Sequence, residues 1–432
     1  MKENLIKKIA LKKATIGIIG LGYVGLPLAI NYSKKNYNVI GFDIDEDKIK
    51  QLNNGKSYIK RIKKEIIVKL KKNFFATKEF KNITSCDVIV ICVPTPLTIK
   101  KKPDLSYLKK TIKSIFPYIK KKQLISLEST SYPGTTKEEL LDKFRKKFLI
   151  GEELYICFSP EREDPGNKYF KNINVPKIIS GATKNCLKNG TAFYQAIFKS
   201  VVPVSSTETA EFTKLLENIY RSVNIGLVNE MKIIAHKMNI NIYEVIKAAS
   251  TKPFGFRPFL PGPGLGGHCI PIDPFYMSWK SKQFGYDPKF IKQSGKINTY
   301  MPKWIINNIK KNFKNRKIKI KNKNFLIIGV AYKKNIDDIR ESPALEIIDL
   351  LKKMQVNVKY HDPYIPNIKK NNIKFKSVKI NKSILKKFDA VIIVTDHDNI
   401  DYSLIQKTSK VIFDCRGRYN MFLNTNKDIV IT

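Results

Sequence analysis

Apolar residues are distributed along this chain in two patterns that take turns. Short β-branched runs predict strands at Thr15–Ile19, Asn38–Phe42, Asp87–Val93, Leu124–Leu127, Tyr155–Phe158 and Lys177–Ser180. The runs are continuous rather than alternating, and amphipathic stretches separate them. Such strands belong to a parallel sheet covered on both faces. From Ser205 the pattern changes. Ser206 or Thr207 can cap a helix that carries Glu208 and Glu211 in its first turns, which suits the helix dipole. Apolar positions then recur at helical spacing through Met238 without a proline, so one helix of about 30 residues is expected, longer than globular helices usually run. A helix of that length often spans domains or forms a subunit interface. Ile242–Ala249 reads as a second helix, followed by a Pro/Gly-rich loop from Pro253 to Pro274.

Strand–helix alternation restarts with strands at Phe325–Val330, Val356–Tyr360, Ala390–Thr395 and Val411–Asp414. Ser342–Met354 reads as a helix with Pro343 well placed at its first position. The densest basic run, Lys310 to Lys323, falls where an interdomain connection is expected and reads as solvated linker. The fold class is therefore α/β: two Rossmann-like doubly wound parallel-sheet domains joined by a central helical domain with one long helix. The expected borders are 1–204, 205–305 and 306–432.

Composition adds limits. With 80 Lys and Arg against 37 Asp and Glu the formal charge is +43. Nucleic-acid binding is not the reading, because the excess is Lys rather than Arg, lies in every segment and is not interleaved with aromatics. The charge can still steer an anionic substrate. No apolar run is long enough to cross a bilayer. The stretch from Ile16 to Ile30 mimics a signal core, but its glycines belong to the turn described next and no cleavage site follows. A cytoplasmic protein without a membrane partner is expected. The six cysteines form no CxxC pair, and Cys86, Cys92 and Cys157 read as small core residues in a reduced compartment. Four scattered histidines make no metal site.

Gly20-Leu-Gly22-Tyr23-Val24-Gly25 follows the first strand and opens a helix, and Asp43 ends the second strand. Glycines that admit a pyrophosphate, a helix N-terminus behind them and an acid for the ribose hydroxyls form a dinucleotide site. Asp43 favours NAD over NADP. A tight packing turn would explain the glycines but not the acid. Three further strand ends carry polar or proline-bearing turns: Val93-Pro94-Thr95-Pro96, Glu128-Ser-Thr130 and Ser159-Pro-Glu161-Arg162. In open α/β sheets ligands bind outside such ends. Lys214 and Asn218 share a face of the long helix. Gly266-Gly267-His268-Cys269-Ile-Pro-Ile-Asp273 puts a thiol in a glycine-rich loop with a carboxylate four residues on, a pattern for covalent catalysis. Taken singly, Lys214 can be a solvated helix lysine and Cys269 a structural thiol.

These motifs, in this order and nearly end to end, resemble the nucleotide-sugar 6-dehydrogenase (UDP-glucose/GDP-mannose dehydrogenase) family. The likeness continues through Gly329-Val-Ala-Tyr-Lys333, Asp337-Asp-Ile-Arg340-Glu-Ser-Pro343, Tyr360-His-Asp-Pro363 and Asp414-Cys-Arg416. It implies two successive oxidations at C6 of a nucleotide sugar, each reducing one NAD, through a thiohemiacetal and a thioester on Cys269. By position it makes Thr130, Glu161, Lys214, Asn218, Cys269 and Asp273 the catalytic set. Lys214 and Asn218 would hold the oxyanion, Asp273 with a water held by Thr130 would act as base, and Glu161 would activate the hydrolytic water. Cofactor contacts would come from Gly20, Gly22, Tyr23, Val24, Gly25, Asp43, Pro94, Thr95, Thr130 and Arg340. Substrate contacts would come from Glu161, Arg162, Lys214, Asn218, Arg257, Gly266, His268 and Lys333. A homodimer or higher homo-oligomer paired along the long helix is implied.

His268 and Ile272 stand where the UDP-glucose branch has Ser and Lys. With Glu128 to Thr136 and Phe158 to Asn167 they resemble the branch acting on UDP-N-acetylhexosamines, UDP-N-acetylglucosamine above all, for surface polysaccharide. UDP-N-acetylmannosamine and UDP-glucose are the alternatives within the family. Family counterparts of Glu161 often have a second Glu four residues later, where this chain has Pro165. A two-electron hydroxyacid dehydrogenase is the reading from another class; it would need neither Cys269 nor a second α/β domain.

Overall fold

The computed structural model describes residues 4–432 apart from 60, 61, 99, 163–171, 268, 269, 371, 372 and 420–428. The chain divides into two compact units, Met1–Glu217 with Phe275–Phe284, and Asn218–Pro274 with Gly285–Thr432.

The first unit is built on an eight-stranded sheet: β1 (Thr15–Ile19), β2 (Asn38–Phe42), β3 (Phe74–Thr77), β4 (Val88–Ile91), β5 (Gln123–Leu127), β6 (Leu154–Phe158), β7 (Lys177–Gly181) and β8 (Val201–Pro203). Its order is β3-β2-β1-β4-β5-β6-β7-β8, the doubly wound order whose switch point lies between β1 and β4. Ile16 pairs with Val39 on one side and Val88 on the other. Ile16, Ile18, Val39, Val88, Val90 and Leu124 enter one core, while Ile19, Ile40, Ile89, Ile91 and Ile125 enter another. Two-sided burial is why these strands read as unbroken apolar runs. The sheet is parallel from β3 to β6, but β7 runs antiparallel to β6.

The second unit carries a five-stranded parallel sheet in the order β10-β9-β13-β14-β15. Its strands are β9 (Asn324–Ile328), β10 (Asn357–His361), β13 (Ala390–Ile393), β14 (Ile412–Asp414) and β15 (Ile429–Ile431), and β11 (Asn367–Lys370) pairs with β12 (Ile373–Lys376) as a separate hairpin. Ser342 caps the helix Pro343–Lys353 through the Ala344 N–H, as its sequence predicts.

The long helix runs over Thr207–Lys237, and the Ser206 hydroxyl accepts the Thr209 N–H at its start. Leu216, Tyr220, Leu227, Met231 and Ile234 are exposed along it, at spacings of one or two helical turns. The basic run from Lys310 is not all linker. A 27-residue helix, Lys289–Asn315, runs through residue 305 and takes in the first part of that run, burying Trp304, Ile305, Ile309 and Phe313. Its lysines occupy the opposite, solvated side, and the run's charge hides the apolar spacing beneath it.

The long helix also buries a lysine. Lys232 is 2% exposed and donates to the Cys415 carbonyl oxygen, to a main-chain oxygen of Thr432 and to the Tyr243 hydroxyl. Burial pushes its ammonium down to about 8. Between that value and the ordinary lysine value the unfolded chain binds more protons. Stability therefore rises with pH across that window and is lost as pH falls through about 8. Lys232→Met removes the donor and leaves these buried oxygens in place, so it should be less stable than the parent at pH 7 by about 1–3 kcal/mol, with the deficit growing as pH rises toward 10. Thermal unfolding at several pH values reads this; a more stable Met variant at pH 7 would contradict it.

Candidate active site

The carboxyl edge of the first sheet holds the glycine turn. Gly20 has φ +91°, and a β carbon there would stand 2.6 Å from the Cys92 carbonyl oxygen. At Gly25 it would meet the Gly20 oxygen at 1.9 Å, so the helix Gly25–Lys34 starts this close to β1 only with glycine. Gly22 is different: nothing lies within 4 Å of a β carbon built there. The two outer glycines serve packing, and the middle one leaves the open approach that a pyrophosphate needs. Tyr23 and Val24 are half-buried in the same turn. Asp43 ends β2 and accepts the Leu21 N–H at 2.9 Å and the Asp45 N–H at 3.0 Å. Two further lone-pair directions are left for hydroxyls, with the Lys48 ammonium 3.5 Å away. These residues fit a dinucleotide with free ribose hydroxyls.

The turns after β4, β5 and β6 lie on the same edge. Pro94 is exposed, whereas Thr95 is buried and its hydroxyl donates to the Thr130 carbonyl at 2.6 Å. The Tyr276 hydroxyl in turn donates to the Thr95 carbonyl at 2.8 Å. Thr130 is thus fixed from behind. Further along that turn, buried Glu211 accepts the Gly134 N–H at 2.6 Å, with the Thr136 N–H and hydroxyl both at 2.7 Å. Burial lifts the Glu211 carboxyl to about 7. Sequence spacing gave no sign of this clamp, because its partners are some 75 residues apart. Glu128 is likewise internal, held by the Lys177 ammonium at 2.8 Å and the Tyr194 hydroxyl at 2.6 Å.

Glu161 and Lys214 come together. Lys214 is buried on the long helix, donates to the Glu161 carbonyl and has its ammonium 3.7 Å from the carboxylate. Burial raises the Glu161 carboxyl above the ordinary range, opposed by the charges of Lys214 and Lys177. Its Oε1 is buried with no hydrogen-bond partner. Arg162 is occupied: its guanidinium is paired with Glu217 and donates to the Pro176 carbonyl at 2.8 Å. The contacts expected of it toward substrate would have to displace that pairing.

In the second unit Asn218 donates its amide N–H to Asp273, and both are buried. Asp273 is the first residue of the helix Asp273–Gln283. Gly266 and Gly267 allow close packing: their β carbons would stand 2.5 Å and 2.8 Å from Tyr332 side-chain atoms. The Gly267 N–H also donates to the Arg340 carbonyl at 2.9 Å. Arg340 itself is forked onto Asp338, Lys333 is half-buried and Arg257 is exposed. Arg416, which sequence placed in a motif without a role, donates to the Val394 carbonyl at 2.7 Å and would meet a β carbon at Gly262 at 2.6 Å. His268 and Cys269 lie outside the described residues. Among the described residues no group of acids, histidines and cysteines could hold a metal, and no helix is long and apolar enough to cross a membrane.

Three family models match the chain in order. They describe the NAD binding domain of the UDP-glucose/GDP-mannose dehydrogenase family over residues 14–223, its central domain over 208–300 and its UDP binding domain over 326–421. Protein CapL of Staphylococcus aureus is 34% identical over 416 residues, covering 94% of this chain and 96% of that one. UDP-N-acetyl-D-glucosamine 6-dehydrogenase of Pseudomonas aeruginosa is 34% identical, covering 82% and 84%. Among solved structures, a UDP-D-ManNAc dehydrogenase from Pyrococcus horikoshii matches with a TM-score of 0.86 at 31% identity, covering 96% of this chain and 98% of its own.

Proposed function

The chain belongs to the UDP-glucose/GDP-mannose dehydrogenase family of NAD-dependent enzymes, and on that premise we propose that it oxidises C6 of UDP-N-acetylglucosamine from alcohol to carboxylate. The observation that carries the reading is the buried Glu161 carboxylate, with one oxygen unpartnered, beside the buried Lys214 ammonium. A buried polar atom without a partner is costly, and a substrate hydroxyl or water is the partner it lacks. The Gly20–Gly25 turn and Asp43 would hold NAD, and two NAD molecules bound in turn would each accept one hydride.

The chain's own groups do the rest. Lys214 and Asn218, one turn apart on the long helix, stabilise the oxyanion that forms as the C6 hydroxyl loses its proton. Asp273 is the base that takes that proton. The Cys269 thiolate adds to the aldehyde, which keeps it from escaping and leaves a thiohemiacetal that can be oxidised again. Glu161 activates the water that cleaves the resulting thioester. Its raised affinity for a proton suits a group that accepts one at neutral pH.

The N-acetylated sugar is supported by the His268 and Ile272 neighbourhood and by the Pseudomonas relative's name. UDP-N-acetylmannosamine is the second reading, supported by the Pyrococcus structure. The product, an acidic N-acetylated sugar nucleotide, suits polysaccharide assembly. For a homodimer the support is the exposed apolar stripe on the long helix, and the particle mass in solution decides it. Substrate choice is tested by kcat/KM for three UDP-sugars under saturating NAD. UDP-N-acetylglucosamine should exceed UDP-glucose by at least about 100-fold, since a site built around the acetamido group leaves polar groups unpaired with glucose. Preferred turnover of UDP-glucose would overturn the branch, and preferred turnover of UDP-N-acetylmannosamine would replace the sugar.

A further inference from the structure

The second sheet repeats the turn of the first but uses its acid differently. Gly329, at the end of β9, has φ +77°, and a β carbon there would stand 2.1 Å from the Thr395 carbonyl oxygen. It makes the turn that Gly20 makes after β1. Asp362 follows the neighbouring strand β10 as Asp43 follows β2. Asp43 accepts two backbone N–H groups. Asp362 accepts five donors: Tyr364 N–H at 2.8 Å and Ile365 N–H at 3.1 Å on Oδ1, with Val330 N–H at 2.7 Å, Ala331 N–H at 3.0 Å and His397 Nε2 at 3.0 Å on Oδ2. A carboxylate offers about four acceptor sites. Asp362 is therefore saturated and has none left for a ribose hydroxyl. It is a fastener and not a ligand group.

His397 is the other half of the fastener. Its Nδ1 takes the Asn335 N–H at 2.9 Å. A backbone N–H can only donate, so Nδ1 bears the lone pair and the ring hydrogen sits on Nε2, facing Asp362. Both side chains are fully buried. Together they grip loop 330–335 at both ends, Asp362 holding its first two N–H groups and His397 its last. The Thr395 hydroxyl adds a bond to the Ala331 carbonyl at 2.6 Å. Asn335 and Asp398 exchange two more, at 2.6 Å and 3.0 Å. Between the grips lie Tyr332, packed on Gly266 and Gly267, and Lys333.

We propose that the Asp362–His397 pair is a positioning device that holds loop 330–335 in the one shape able to receive the diphosphate of the nucleotide. The inference rests on the nucleotide-sugar reading above. Neither residue touches the substrate; both act through the loop. A merely structural pair would lower folding stability and leave the affinity of the folded protein unchanged.

Calorimetric titration of the full chain with UDP, and separately with NAD, tests it. His397→Leu removes both ring bonds and should weaken UDP at least about tenfold, the worth of one hydrogen bond to a charged group, with NAD affinity unchanged. His397→Asn, whose amide oxygen can still accept the Asn335 N–H, should recover part of the loss. Asn335→Gly keeps the left-handed backbone at that position (φ +62°) and drops only the Asp398 bonds. It should weaken UDP about threefold. Wild-type binding of UDP with unchanged affinity in folded His397→Leu overturns the proposal alone. If His397→Leu does not fold, unchanged UDP affinity in folded His397→Asn, which lacks the ring N–H that faces Asp362, overturns it. A wild-type protein that binds no UDP removes the nucleotide-sugar reading, and the proposal with it.

Discussion

Replacing Cys269 by Ser should lower steady-state acid production by at least about 1,000-fold while NAD affinity stays within about twofold. An aldehyde carbon cannot give up its hydrogen as hydride until a nucleophile has added to it. Addition turns the carbonyl into a tetrahedral centre that carries both an oxyanion and the C–H bond to be broken. Thiols are far more acidic than alcohols and thiolate is intrinsically a strong nucleophile, whereas a serine hydroxyl supplies almost no alkoxide. Serine also changes the leaving group from thiolate to alkoxide, so hydrolysis of the acyl-enzyme slows. The glycine turn and Asp43 belong to the first sheet and do not depend on the thiol, so cofactor binding should survive. Acid production within about tenfold of the parent would make Cys269 structural.

Asp273→Asn should lower kcat by about 100- to 10,000-fold with KM for the sugar changed only a few-fold. The substitution is chosen because it preserves position. Asn218 donates its amide N–H to the Asp273 carboxylate, and an asparagine carbonyl oxygen can accept the same bond. The side chain therefore stays in place at the first turn of its helix while its ability to take a proton is lost. A change in KM alone, with kcat intact, would mean that Asp273 binds substrate and that another group is the base.

Much of the first sheet was legible because the physics is local. The limits of β1 and β2 follow from two β-branched runs closed by Gly20 and Asp43. β3, β8 and β15 escaped notice because none is a fully buried run: β3 has an exposed residue between buried ones, β8 is largely exposed and β15 is half-buried throughout. The helix Lys289–Asn315 was obscured by its lysines and by Pro302, although Met301, Trp304, Ile305 and Ile309 keep helical spacing on its buried side. The site divides the same way. Glycines, the acid after β2 and the Cys269 loop announce themselves by residue type and spacing. Glu211 holding the turn after Thr130, Glu217 occupying Arg162, and His397 closing loop 330–335 depend on residues brought together from distant parts of the sequence. A sequence motif shows the groups that meet a ligand more readily than those that hold them still.

The central claim is that one active site performs a four-electron oxidation, and counting reduced cofactor against sugar tests it most directly. Purified protein with excess NAD and a limiting amount of UDP-N-acetylglucosamine is followed to completion, with NADH read by absorbance and remaining sugar by chromatography. The covalent route through Cys269 predicts about two NADH per sugar consumed, with no free aldehyde accumulating. A ratio near one, with the aldehyde as product, would contradict it.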